Sequence, residues 1–175
     1  MRILFEDEAR FGRISDRRRC WAPMGERPVV AHQVVREFVY VVGAVEPVHG
    51  RITSVIMPWV DAEIMSMFLA HVAAEYPHDH CLVLLDAAGW HIAGHLRIPP
   101  TVSLEFLPPY SPELNPMEHV WDHLREDEFG NRCFLSLDAV EQALCSGLRK
   151  LDNDPATVSS MTLFDWIKPL AMMSN

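Results

Sequence analysis

Two hydrophobic rhythms alternate along the chain. Met1-Arg-Ile-Leu-Phe-Glu-Asp-Glu is an apolar run of strand length that ends in acids. Arg36 to Val45 (REFVYVVGAV) is rich in Val, Phe and Tyr, which suit a pleated, half-buried surface. Glu46-Pro-Val-His-Gly50 supplies turn residues, and Arg51 to Met57 reads as the next strand, so a three-stranded meander is predicted. Beyond it Ile64, Met67, Phe68, His71 and Val72 recur at helical spacing, which predicts a helix capped by Asp61, running to about Tyr76 and stopped by Pro77. Cys81 to Leu85 (CLVLL) is apolar throughout, as a strand covered on both faces would be, and Val102 to Leu107 (VSLEFL) is a further strand before the proline-rich PPYSPELNP loop. Asn115 is read as opening a helix to about Phe129, and helical segments follow at Leu137 to Leu151 and Pro155 to about Met161. Strands, a helix, then alternating strand and helix describe an α/β fold, a mixed sheet flanked by helices.

Length and composition narrow this to one domain over residues 1–175: 49% of the chain is hydrophobic and 22% charged, enough apolar material for one substantial core. No run of eighteen apolar residues occurs and the Met1 end lacks the layout of a signal peptide, so a cytoplasmic protein without a membrane partner is expected. Cys20, Cys81, Cys133 and Cys145 stand far apart with no Cys-x-x-Cys pair, which reads as free thiols rather than a zinc knuckle or disulfide frame. The net charge of -9 is unevenly spread. Residues 1–60 hold nine Arg against seven acids, and the remainder six basic residues against seventeen acids. Arg10, Arg13, Arg17, Arg18 and Arg19 form a local basic cluster, open to two readings: a phosphate contact or a solvated hairpin.

Three acids fall at the ends of separate elements. Asp7 closes the first strand, Asp86 ends CLVLL and Glu118 lies in the first turn of the helix opened by Asn115. Carboxylates converging at one sheet edge repel one another unless a cation lies between them. Magnesium suits such a set, since it prefers hard oxygen ligands and completes its octahedron with water and phosphate. Each acid also has a purely structural reading. Asp86 before Ala87-Ala88-Gly89 is a turn cap, Asn115-Pro116-Met117-Glu118 is a capping-box pattern, and Asp7 between Glu6 and Glu8 is part of a solvated acidic edge. The pairs His91-x-x-x-His95 and His119-x-x-x-His123 raise a zinc hydrolase, but neither carries the Glu that an H-E-x-x-H site uses as general base.

Four motifs in order, Phe5-Glu-Asp-Glu-Ala-Arg-Phe11, Trp21-Ala-Pro-Met-Gly-Glu-Arg-Pro28, Leu84-Leu-Asp-Ala-Ala-Gly-Trp-His91 and Leu107-Pro-Pro-Tyr-Ser-Pro-Glu-Leu-Asn-Pro-Met-Glu-His-Val-Trp121, resemble the catalytic domain of mariner-like bacterial insertion-sequence transposases. The resemblance implies a ribonuclease H-like fold and an Asp-Asp-Glu triad at Asp7, Asp86 and Glu118. That triad would hold two magnesium ions, or manganese, for DNA cleavage at transposon ends and strand transfer into target DNA. It also implies a homodimer acting in the bacterial nucleoid. Relatives place a helix-turn-helix DNA-binding region ahead of this domain, which the chain lacks, so end recognition is expected from a separately supplied domain. The family often has Asn after the second aspartate where this chain has Ala87. That departure keeps two alternatives open, an inactive remnant serving in dimerisation or DNA scaffolding and a nuclease without strand transfer. His91 stands where the family commonly has His, either in contact with phosphate or a metal-bound water or as a hydrogen-bonded structural histidine.

Overall fold

Residues 1–169 are described by a computed structural model. Its first strand, β1 (Arg2–Ile14), is covered on both faces over Ile3 to Glu6. Ile3, Phe5, Ala9 and Phe11 are buried on one face, with Leu4 and Glu6 buried on the other. This extends the strand well past Glu8, where the sequence reading ended it. Beyond Glu8 the period-2 signal rests on Ala9 and Phe11 alone, a run cut short by Gly12 and Arg13. β2 (Val34–Glu46) runs antiparallel to β1, and β3 (Arg51–Met57) antiparallel to β2. β4 (Cys81–Leu85) and β5 (Val102–Phe106) then add in parallel, giving the order β3-β2-β1-β4-β5 with β1 at the centre.

Helices cover both faces. α1 (Ala62–Glu75) is capped by Asp61, which accepts from the amides of Glu63 and Ile64, and packs Met65, Phe68 and Leu69 against Leu4, Val42 and Ala44. α2 (Met117–Leu124), prolonged by a π-helical turn over Arg125–Phe129, lies on the opposite face with α3 (Leu137–Asp152) and α4 (Pro155–Thr162). Trp121, Leu124, Val140 and Leu144 bury there against Phe5, Phe11, Val41 and Val45. Ser136 and Asp154 cap α3 and α4 through their side chains, as Ser and Asp do at helix starts.

The arginine cluster does not form a single basic patch. Arg10 lies on β1 over the Phe38 ring, 4.5 Å from its centroid. Arg13 donates to Glu37 at 2.7 Å and to the Phe134 carbonyl at 2.9 Å, and Arg18 pairs with Asp16 at 2.9 Å near Asp122 and Glu126. Arg17 and Arg19 are exposed. They open an irregular arm, residues 17–32, on which Trp21, Met24 and Val29 are almost wholly exposed. The arm's base is fastened by Asn131, whose side chain accepts from the Arg18 amide and donates to the Arg18 carbonyl.

Candidate functional site

Asp7, Asp86 and Glu118 line one cleft of about 420 Å³, closed on its far side by Pro108, Pro109 and Tyr110 of the proline-rich loop. They reach it from three elements: the middle of β1, the loop after β4 and the first turn of α2. Asp7 is set deepest. Its Oδ2 accepts a 2.9 Å hydrogen bond from Trp121 Nε1. That reach depends on Gly43, which pairs with Asp7 across β1 and β2. A Cβ at Gly43 would stand 2.8 Å from the Trp121 ring and 2.7 Å from Met117 Cε, so the indole lies over bare backbone. Burial, and after it the charge of Glu118, pushes the Asp7 carboxyl up to about 7, against the smaller downward pull of the Trp121 hydrogen bond.

Asn115 binds the helix start to the strand. Its Nδ2 donates to the Glu6 carbonyl at 2.8 Å and its Oδ1 accepts from the Met117 amide at 3.1 Å. The capping box expected from Asn115 to Glu118 is not closed. The Asn115 amide donates to the Pro112 carbonyl instead, while Glu118 supplies only its own amide, to the Asn115 carbonyl. The Glu118 carboxylate is thereby left to the cleft. Asp86 does cap its turn, accepting from the Ala88 amide at 2.9 Å, with its side chain two-thirds exposed.

His91 is buried, at 3% exposure, and both of its ring nitrogens face groups of the chain itself. Nδ1 lies 2.9 Å from the Asp86 carbonyl oxygen and 3.0 Å from Asp86 Oδ1, while Nε2 lies 3.1 Å from Glu8 and 3.4 Å from Glu6. Among the described residues, the compact carboxylate and imidazole set is therefore Glu6, Glu8 and His91, with ligand atoms within 4.8 Å of one another. Asp7, Asp86 and Glu118 share a cleft without being drawn into so tight a group. Sequence reasoning missed Glu6 and Glu8 as chemistry, although strand alternation alone sends both to the face opposite Asp7. Trp121 and Gly43 were missed because their roles rest on a contact between α2 and β2. A broader hollow of about 820 Å³ along α3 is lined by solvated side chains of that one helix, Asp138 to Asn153, and brings no separate elements together.

A model of the DDE superfamily endonuclease family matches residues 2–141. The y4pE/y4sA protein of Sinorhizobium fredii (strain NBRC 101917 / NGR234), described as uncharacterized, is 37% identical over 128 residues, 73% of this chain and 95% of that protein. Among solved structures, the Mos1 transposase paired-end complex with left transposon end superposes with a TM-score of 0.62 at 17% identity, covering 92% of this chain and 55% of that one. The Mos1 mariner paired-end complex with Mn gives 0.59 at 18% identity, covering 92% and 56%. The chain thus spans little more than half the length of the Mos1 chains. At such identities the likeness is one of fold, the ribonuclease H-like fold of transposase catalytic domains. With the family match extending over most of its length, the chain belongs to the DDE superfamily endonucleases.

Proposed function

We propose that the chain is the catalytic domain of a transposase, cutting DNA at transposon ends and joining the freed end to target DNA, with Asp7, Asp86 and Glu118 as its catalytic metal ligands. One observation carries the reading. Three carboxylates from distant elements line a single cleft, and the deepest is pushed up to about 7 by burial and by its neighbour Glu118, an arrangement that calls for positive charge. The donors are all hard oxygens, which fits magnesium or manganese, two ions in all. Bound there, the ions supply charge stabilisation to the entering and leaving oxygens of an in-line phosphoryl displacement.

The chain's own groups position that chemistry. Trp121 fixes one oxygen of Asp7, and Asn115 ties the start of α2 to β1 so that Glu118 stays opposite Asp7. The loop from Leu107 to Pro112 forms the wall against which a DNA strand would lie. Exposed Arg17 and Arg19 provide phosphate contacts, whereas Arg13 and Arg18 are already engaged within the chain. DNA as substrate is supported by the Mos1 complex with a transposon end that shares the fold, and a homodimer is the working unit we propose, since two ends must be processed together.

Ala87, with no amide to orient water or phosphate, supports a second reading in which the domain binds DNA without cutting it. The deciding experiment incubates a labelled transposon-end duplex and a target plasmid with the chain and magnesium or manganese. Cleaved and joined products support the transposase. Cleavage without joining identifies a nuclease, and binding without either identifies the scaffold.

A further inference from the structure

On the face of β1 turned away from the cleft, Glu6 is completely buried, and neither of its carboxylate oxygens has a hydrogen-bond partner. Such a group is costly to bury, and here it points at two others. Glu8 Oε1 is held by the Trp90 indole N–H at 2.6 Å, and the His91 ring lies between the two glutamates and Asp86. The tautomer of His91 follows from its partners. Nδ1 faces acceptors alone, the Asp86 carbonyl oxygen and Asp86 Oδ1, so it carries the hydrogen. In the neutral ring Nε2 then directs a lone pair at two carboxylates, and either a proton held among the three groups or a cation between them relieves that arrangement.

We propose that Glu6, Glu8 and His91 form a binding site for a divalent ion of the zinc class, separate from the Asp7 cleft. An imidazole nitrogen with two carboxylates favours zinc or its first-row neighbours over magnesium. Two negative ligands neutralise one divalent ion, as a buried site requires. Ligand atoms within 4.8 Å of one another are near the roughly 3.3 to 3.6 Å separations of a tetrahedral site with bonds of about 2.0 to 2.2 Å, so small side-chain rotations close it. The supporting contacts are also those of a metal site: a histidine whose second nitrogen donates to a backbone carbonyl and a carboxylate oriented by an indole. Glu8, the least enclosed of the three, marks the way in and leaves a fourth position for water. The ion joins β1 to the loop after β4 and, through His91, steadies the turn that carries Asp86.

The test uses the full-length chain carrying Asp7→Asn and Glu118→Gln, so that binding in the cleft is suppressed while Asp86 remains. After chelation, Zn2+ and then Co2+ are titrated by calorimetry, and thermal melts are recorded with and without ion. One equivalent is expected to bind, to raise the melting temperature by about 5 °C at roughly a hundredfold excess over its dissociation constant, and with Co2+ to give the visible bands of a nitrogen and oxygen site. Adding Glu6→Gln is expected to abolish all three effects without lowering the ion-free melting temperature, since the amide keeps the shape and removes a buried charge. The proposal is overturned if the double variant takes up no ion, which would mean that protons alone balance the cluster, or if Glu6→Gln retains the ion and its stabilisation. Should Glu6→Gln fail to fold, anomalous scattering from crystals of the Zn2+-soaked double variant decides: density between Glu6, Glu8 and His91 upholds the site, and density elsewhere or none overturns it.

Discussion

β1 carries three acids in a row, and its two faces treat them differently. Asp7 opens onto a cleft with two further carboxylates, is anchored through one oxygen by Trp121 and leaves the other side to solvent and substrate. Glu6 and Glu8 turn inward to a histidine beside Trp90, where Glu6 has no hydrogen bond at all. Burial, then the charges of Glu8, Asp7 and Asp86, pushes the Glu6 carboxyl well above its ordinary range. Burial works to lower His91, but Glu8 and Asp86 outweigh it and hold its pKa above the usual value. An open oxygen-only site suits ions that exchange with substrate, whereas a closed site with imidazole suits an ion that stays. Acids one position apart thus meet different surroundings because the pleat sends them to different layers.

The comparison breaks most visibly through activity. Asp7→Asn or Asp86→Asn is expected to reduce magnesium-dependent cleavage of an end duplex by about a thousandfold or more, an effect of roughly 4 kcal/mol on the barrier, with the circular dichroism spectrum unchanged. Undiminished cleavage by either variant would remove that acid from the ion-binding set. Glu118→Gln sharpens the point. Because its carboxylate closes no capping box, the melting temperature without ions is expected to stay level or rise as repulsion with Asp7 is relieved, while cleavage falls to a similar extent.

A smaller effect is expected at Gly43→Ala. The added methyl would meet Trp121 and Met117 below 3 Å, and moving them costs about 1 to 3 kcal/mol of stability and withdraws the hydrogen bond to Asp7. Urea denaturation beside an activity assay measures both, and a loss of activity without loss of stability would show that the indole can be displaced freely.

The smallest effect is a pH slope. Asp7 has a folded pKa of about 7 against an ordinary 3.8, so between these values the folded state holds a proton that the unfolded state has released. In chelator, its contribution to stability is full below pH 3.8 and is lost as pH rises toward 7, by on the order of 1 to 2 kcal/mol once exposure to the cleft is allowed for. Melts of the parent chain and Asp7→Asn across pH 5 to 7 are expected to converge at the acidic end and separate at the neutral end, with the variant the more stable. Parallel curves would place the buried charge elsewhere.

Much of this was legible in the chain itself. The strands β2 to β5 and the four helices were placed from the sequence, the first with its cap at Asp61, because periodicity, caps and turn residues are local signals. The second half of β1 was not, since after Glu8 only Ala9 and Phe11 carry the apolar alternation before Gly12 and Arg13 interrupt it. In the cleft, Asp86 after β4 and Glu118 in the first turn of α2 could be read, and so could a resemblance carried by four motifs, whereas Asp7, read as closing its strand, stands in the middle of β1. Which acids face each other could not. That depends on Asn115 holding the Glu6 carbonyl and on Gly43 admitting Trp121, contacts that span 109 residues in the first case and join a helix to a strand in the second.

The arm between β1 and β2 has a consequence for covalent continuity. Arg17 and Arg19 lie on an exposed, irregular stretch of the kind trypsin cuts first. A nick there separates Asp7 on a short N-terminal piece from Asp86 and Glu118 on the long one. The backbone would no longer link them, yet β1 keeps its antiparallel ladder from Phe5 to Ile14 with β2 and its parallel ladder from Arg2 to Phe5 with β4. The two pieces are therefore expected to copurify as a folded pair, with the sheet rather than the chain holding the first acid beside the others.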